Sequence, residues 1–167
     1  MIEAILKRRS IRKFTNQKVE DEKIEEMLKA GMLAPSAHNL NPVRFVIIKS
    51  KEAFQHIMSI HPYTSMLKTA DVAILVVGDR NITTNDGFLY ADCSSAITNI
   101  LLQGCDLGLG TCWCGVAPSV ERCQAFSEYF ELEENYLPFG LIAVGYPDEV
   151  KGMKETIDLS KIIKVVE

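Results

Sequence analysis

The sequence predicts a single domain over residues 1–167 that mixes helices with strands, in the α/β or α+β class. Three observations carry that expectation. Apolar, β-branched runs at Val43–Lys49, Val72–Gly78 and Pro138–Tyr146 are separated by segments with helical spacing. A long stretch from Asp86 to about Leu107, "DGFLYADCSSAITNILLQGCDL", has small and apolar residues around most of a helix circumference, as in a helix buried in a core or an interface. A length of 167 residues suffices for one core and leaves no room for two.

Taken in order, Ile2 to Arg9 is a short helix, Ser10 to Phe14 is extended and Thr15 to Gln17 is a loop. After Val19 comes an acidic first turn, and Ile24, Met27, Leu28 and Leu33 recur at helical spacing until Pro35 stops the helix. "PSAHNLNP" is a loop, "EAFQHIMS" a helix, and the two strands Val43–Lys49 and Val72–Gly78 both read as central. "GLGTCWCGV" leaves the long helix and enters a strand, "SVERCQAFSEYF" is amphipathic, and Pro147 ends the last apolar strand. The tail has a polar first half and then a strand-like end, Ile162 to Val166, which suits a segment that reaches outside its own domain. There is no internal repeat, low-complexity tract or linker.

Composition narrows the class. With 47% hydrophobic and 24% charged residues the chain is an ordinary globular one, neither disordered nor fibrous. No apolar run approaches the eighteen or so residues of a membrane span, and Glu3, Lys7, Arg8 and Arg9 stand where a signal peptide would be apolar, so a cytoplasmic location is expected. The five cysteines are odd in number and fall in predicted helix or strand, which favours reduced thiols. Cys112 and Cys114, with Cys105 and Cys123, lack C-x2-C spacing and a histidine partner, so no zinc or iron–sulfur site is expected.

Against a net charge of -4, "KRRSIRKF" at Lys7–Phe14 is a concentration of positive charge. In an extended segment Arg8, Ser10 and Arg12 project to one side and Arg9, Ile11 and Lys13 to the other, with Arg8 and Arg12 at most about 13 Å apart. Two guanidinium forks flanking a hydroxyl suit a ligand with an anionic end and an electron-rich part further along. A solvated patch at a helix carboxyl end is the plainer reading of that motif alone. Nucleic acid is disfavoured by the acidic remainder and the lack of interleaved aromatics. The loop "LAPSAHNLNPVRF" adds Ser36, His38, Asn39 and Asn41, pinned between Pro35 and Pro42; asparagine can read an imide-like edge that alternates carbonyl and N–H. Gly104, Gly108, Gly110 and Gly115 miss the G-x-G-x-x-G spacing of a dinucleotide fingerprint.

These segments, "RRSIRKF", "APSAHNLNP", "GLGTCWCG" and "GLIAVGYPDE", in that order over nearly the whole chain, resemble the flavin-dependent nitroreductase family, and most closely its short members. The resemblance implies an α+β fold, an α/β sandwich with a central, mostly antiparallel sheet flanked by helices. It further implies a homodimer with FMN at the subunit interface and the carboxyl-terminal segment on the partner. By position, Arg8 and Ser10, with Arg9 beside them, would hold the FMN phosphate, and Arg12 would approach the pyrimidine edge. Pro35, Ser36 and Asn39 would come from the second subunit, and the backbone at Cys114 and Gly115 would meet flavin N5, with Trp113 close by. Asn41 and Val43 depart from the glutamine and aromatic common in relatives. For a further phosphate contact the tail offers Lys151, Lys154 and Lys161, of which Lys154 is the expected one. The implied activity is hydride transfer from NADH or NADPH to FMN and on to a nitroaromatic, quinone or activated alkene in a ping-pong cycle, with no catalytic side chain required. A flavin-binding sensor or carrier, or a specialised reaction such as reductive dehalogenation, is the alternative.

Overall fold

All eight residues of Val72–Asp79 are buried, as expected of a strand paired on both edges and covered on both faces. This strand, β2, is the centre of the computed structural model, which describes residues 1–152 and 158–167. In chain order its companions are α1 (Glu3–Lys7), α2 (Asp21–Met32), β1 (Val43–Ile48), α3 (Lys51–Ile60), then β2, α4 (Asp86–Asp106), β3 (Gly110–Gly115), α5 (Val120–Tyr129) and β4 (Tyr136–Gly145). The sheet order is β1-β2-β4-β3 with every ladder antiparallel, so the expected α+β sandwich with an antiparallel sheet is what is found.

The period-2 geometry of β2 divides the core into two layers. Val72, Ile74 and Val76 face α2 and α4, where Met27, Ile97 and Ile100 are fully buried. Ala73, Leu75 and Val77 face α3 and α5, against Phe54, Ile57 and Phe126. Along α4 the buried positions Cys93, Ala96, Ile97, Ile100, Leu101 and Gly104 recur every three or four residues, a stripe matched to the sheet. The helix starts where the Asn85 side chain accepts from the backbone N–H groups of Gly87 and Phe88. Ser50 and Ser119 cap α3 and α5 in the same way.

Three expectations need correction. Val43–Ile48 is an edge strand, not a central one; its alternation is incomplete and Ile47 is 46% exposed. An apolar β-branched run does not by itself say how many neighbours a strand has. The extended segment Ser10–Phe14 makes isolated bridges only, Ser10 to Thr111 and Phe14 to Pro147, and buries Ile11 and Phe14. That three-residue spacing breaks strict alternation, so Ile11 and exposed Lys13 do not share a side. Finally, Ile162–Val166 forms no strand and is exposed, and a 3-10 turn at Leu159–Lys161 leads into it. Among the described residues no helix is long and apolar enough to cross a membrane.

Candidate functional site

The basic segment is held by contact with bare backbone. A Cβ at Gly110 would fall 2.8 Å from the Ile11 side chain, and one at Gly145 would fall 2.9 Å from Phe14. Gly110 and Gly145 are register partners across β3 and β4, so together they form a strip without side chains on which residues 11–14 lie. Backbone hydrogen bonds complete the seating: Ile11 N–H to the Thr111 carbonyl at 2.9 Å, and Thr15 N–H to that of Tyr146 at 2.9 Å. Glu149 accepts from the backbone N–H groups of Arg12 and Lys13, and Lys151 Nζ donates to the Ser10 carbonyl at 2.6 Å. The Arg12 N–H and then Lys151 hold the half-buried Glu149 carboxyl below its usual pKa.

The arginines between and before these anchors are turned outward. Arg8 and Arg9 line a cleft with Lys7 and Lys151, while Arg12 lines a second cleft of about 500 Å³ against β3. The ion pairs of the described residues engage Lys7 with Glu3 and Lys151 with Glu149, but none of these three guanidiniums. In a chain of net charge -4, the guanidiniums of Arg8 and Arg9, with the Ser10 hydroxyl and Lys151 nearby, form a donor set that fits a phosphate monoester, while Arg12 stands apart in the second cleft.

The second cleft has a backbone wall. Because the Thr111 carbonyl accepts from Ile11, away from β4, the alternating ladder turns the N–H groups of Trp113 and Gly115 to the same free edge. Gly115 is exposed there, and an added Cβ would meet only the Ala117 carbonyl oxygen within 4 Å. A flat ring can therefore approach backbone donors directly. The Gly115 carbonyl is gripped by two donors, His61 Nε2 at 2.9 Å and Arg122 Nη1 at 2.6 Å. His61 Nδ1 accepts from the Tyr63 N–H, which leaves the proton on Nε2 of a neutral ring. Burial lowers the His61 pKa, opposed by its bond to Gly115 and reinforced by the Arg122 charge.

Cys112 and Cys114 point from β3 into the α3 and α5 layer and also line this cleft. Interaction with the Cys114 thiol brings Cys112 down to about 7, against burial and with help from Arg12 and Lys151. The same interaction, together with burial, raises Cys114. Trp113 projects to the opposite face, 38% exposed, packed near Phe139.

The loop after α2 lies elsewhere on this chain. Pro35 and Ser36 line a third cleft with Asp92, Arg44, Phe45 and Ala96, and share none of the walls around Arg12. His38, Asn39 and Asn41 adopt φ values of 53°, 57° and 51°, a left-handed backbone that asparagine tolerates better than most residues. Ser36 Oγ accepts from the Asn41 N–H, and Asp92 Oδ1 accepts from the Ala37 N–H at 2.9 Å. Asp92 is 4% exposed and its Oδ2 has no partner among the described residues. Asn39 is exposed.

Of the residues singled out from sequence, Arg12, Cys114 and Gly115 share one cleft, Arg8 and Arg9 the adjoining one, and Ser10 lies in the segment between. Pro35, Ser36 and Asn39 are apart from them within this chain. Lys154 lies outside the described residues, whereas Lys151 touches Ser10. His61 and Arg122 were not anticipated. His61 stands 54 positions from the carbonyl it holds, and nothing in the local sequence ties it there.

In sequence and in fold the chain is similar to known proteins. The profile described as Nitroreductase family matches residues 5–59 and 56–146. A protein of Methanothermobacter thermautotrophicus with the provisional name NADH dehydrogenase/NAD(P)H nitroreductase is 40% identical over 162 residues, 97% of this chain and 85% of that one. A crystal structure of a Parabacteroides distasonis protein with the same provisional name has 34% identity and a TM-score of 0.93, covering 98% of this chain and 96% of the other. A Desulfovibrio desulfuricans protein, provisionally a nitroreductase and crystallised in complex with FMN, has 29% identity and a TM-score of 0.85, covering 99% and 96%.

Proposed function

The chain belongs to the nitroreductase family, and from that premise we propose that it is an FMN-dependent oxidoreductase that uses NADH or NADPH to reduce an electron-poor acceptor such as a nitroaromatic, quinone or activated alkene. The observation that carries this reading is the set of guanidiniums at Arg8, Arg9 and Arg12 that no ion pair of the described residues engages, on a segment whose Ile11 and Phe14 side chains lie on the Gly110–Gly145 strip beside the free edge of β3. FMN, when bound, supplies a two-electron relay, taking hydride from the nicotinamide and, after that product leaves, passing electrons to the acceptor in a ping-pong cycle.

The chain's own residues then bind, orient and tune. Arg8 and Arg9 with the Ser10 hydroxyl hold the phosphate, joined by Lys154 from the tail. Arg12 stands at the pyrimidine edge, where a cation stabilises the negative charge that reduction places on the ring. The Gly115 N–H donates toward the ring at N5 from a strand edge that cannot swing, because His61 and Arg122 fix the next carbonyl. Cys114 contributes backbone to the same edge. Pro35, Ser36 and Asn39 complete the site from a second copy of the chain, consistent with their separation from Arg12 within one chain. No side chain acts as nucleophile or obligatory acid.

The test is the visible spectrum of the purified protein before and after excess FMN and desalting, followed by NADH and NADPH oxidation with a nitroaromatic or quinone. Retention of about one flavin per chain with acceptor-dependent turnover is expected. Retention without turnover would point to a flavin-binding module, and a colourless protein that retains no FMN would overturn the reading.

A further inference from the structure

Two cysteine thiols and a methionine thioether line the cleft beside β3. Cys112 and Cys114 stand two residues apart on one face of the strand, and Met66, from the 3-10 turn Ser65–Lys68, brings its thioether to 3.8 Å from Cys114 Sγ. All three side chains line the same cleft of about 500 Å³, so the cluster has an entry path. Each side chain is nevertheless almost fully buried: Met66 is 5%, Cys112 1% and Cys114 5% exposed.

We propose that Cys112, Cys114 and Met66 form a binding site for a soft monovalent d10 cation, Cu(I) in the first instance. Thiolate and thioether ligands select such ions, and a two- or three-coordinate sulfur set suffices for them. With metal–sulfur bonds of about 2.3 Å, the length typical of zinc thiolates, a trigonal site places its sulfurs about 4.0 Å apart. The separation of 3.8 Å between Cys114 and Met66 fits that figure without rearrangement of the turn. Zinc fits poorly, because both nitrogens of nearby His61 are committed, one to the Gly115 carbonyl and one to the Tyr63 N–H. Among the described residues there is also no group of three or more His, Cys, Asp or Glu able to hold a metal.

Charge favours the monovalent ion too. Binding converts two thiols and one cation into a bis-thiolate complex of net charge -1 and releases two protons to solvent. Arg12 lines the same cleft and balances that negative charge. The entry cleft is shared with the proposed flavin site through Arg12 and Gly115, so flavin content is read from the visible spectrum alongside the titration, and loss of Cu(I) binding with flavin retained counts against this site alone.

The experiment is an anaerobic titration of the reduced full-length protein with Cu(I) in competition with bicinchoninate. One equivalent of Cu(I) per chain should leave the chelator, with ultraviolet thiolate-to-copper absorption rising to a plateau at that ratio. Cys112→Ser and Cys114→Ser should each weaken binding at least tenfold, Met66→Leu about fivefold, and Cys105→Ser and Cys123→Ser not at all. Copper that stays on the chelator would overturn the site, as would equal losses from Cys105→Ser and Cys112→Ser. Should the cysteine variants fail to fold, Met66→Leu, which conserves volume, decides the matter: unchanged affinity removes the thioether and the proposed triad with it. Zn(II) uptake as tight as Cu(I) uptake would overturn the preference for a soft ion.

Discussion

The imidazole of His61 donates from Nε2 to the Gly115 carbonyl at 2.9 Å and so ties the segment after α3 to the end of β3. Its other nitrogen is needed as an acceptor for Tyr63, so the ring works only when neutral. Burial is the main reason that its pKa is lowered from 6.5. As pH falls below about 6.5 the unfolded chain takes up a proton that the folded chain refuses, and stability declines until the lowered folded pKa is passed. Urea unfolding from pH 7.5 to 5.5 should show that decline in the native protein and a flatter profile in His61→Asn. At pH 7.5 the variant should lose about 1–3 kcal/mol, the cost of an unpaired buried polar group. Parallel profiles would exclude this role.

Gly110→Ala and Gly145→Ala should each destabilise by about 1–3 kcal/mol, because the new methyl meets Ile11 or Phe14 below 3 Å. Both should also loosen FMN retention by moving the basic segment. Ile11→Ala added to Gly110→Ala should recover part of the FMN loss, and a double-mutant cycle measures the coupling. Strictly additive effects would argue that the two residues do not press on one another.

Trp113 is the sole tryptophan and borders the cleft lined by Arg12, which makes its fluorescence a private reporter of that cleft. FMN should quench it saturably at one equivalent per chain. Arg12→Ala should raise the Kd about tenfold, equivalent to about 1.4 kcal/mol for one charge-assisted contact, and lower the flavin potential. If neither the Kd nor the potential changes, Arg12 does not sit at the ring.

Asp92→Asn keeps an oxygen for the Ala37 N–H and removes a buried carboxylate whose second oxygen is unpartnered. Its stability should match or exceed that of the native protein. Asp92→Ala should cost about 1–3 kcal/mol by orphaning the Ala37 amide and loosening residues 36–41. Thermal unfolding of the two variants side by side checks this, and equal losses would mean that the amide bond contributes little.

Much of the architecture was legible because β2 and α4 announce themselves by composition, an unbroken apolar run and a long small and apolar helix, although α4 buries one stripe rather than most of its circumference. Neighbour count was not legible, which is why β1 was expected at the centre. The concentration of charge at Arg8, Arg9 and Arg12 was legible, since charge in an acidic chain is a local signal, but its reading as a ligand site came only with the family resemblance. The parts that fix the second cleft were not. His61, Arg122 and Gly115 meet through the packing of the segment after α3 and of α5 against β3, and Met66 reaches Cys114 by the same route; such long-range contacts leave no periodicity or spacing to read.

The strip made by Gly110 and Gly145 also bears on how this molecule could be engineered. Ile11 and Phe14 are the side chains that dock the basic limb, with backbone hydrogen bonds and Glu149 and Lys151 beside them, whereas Arg8, Arg9 and Arg12 take no part in the hydrophobic core. The limb behaves as an exchangeable cartridge: its docking pins and its electrostatic payload are different residues. Its charges can be rewritten, one by one or together, to retune which anions the adjoining clefts admit while the scaffold underneath stays as it is.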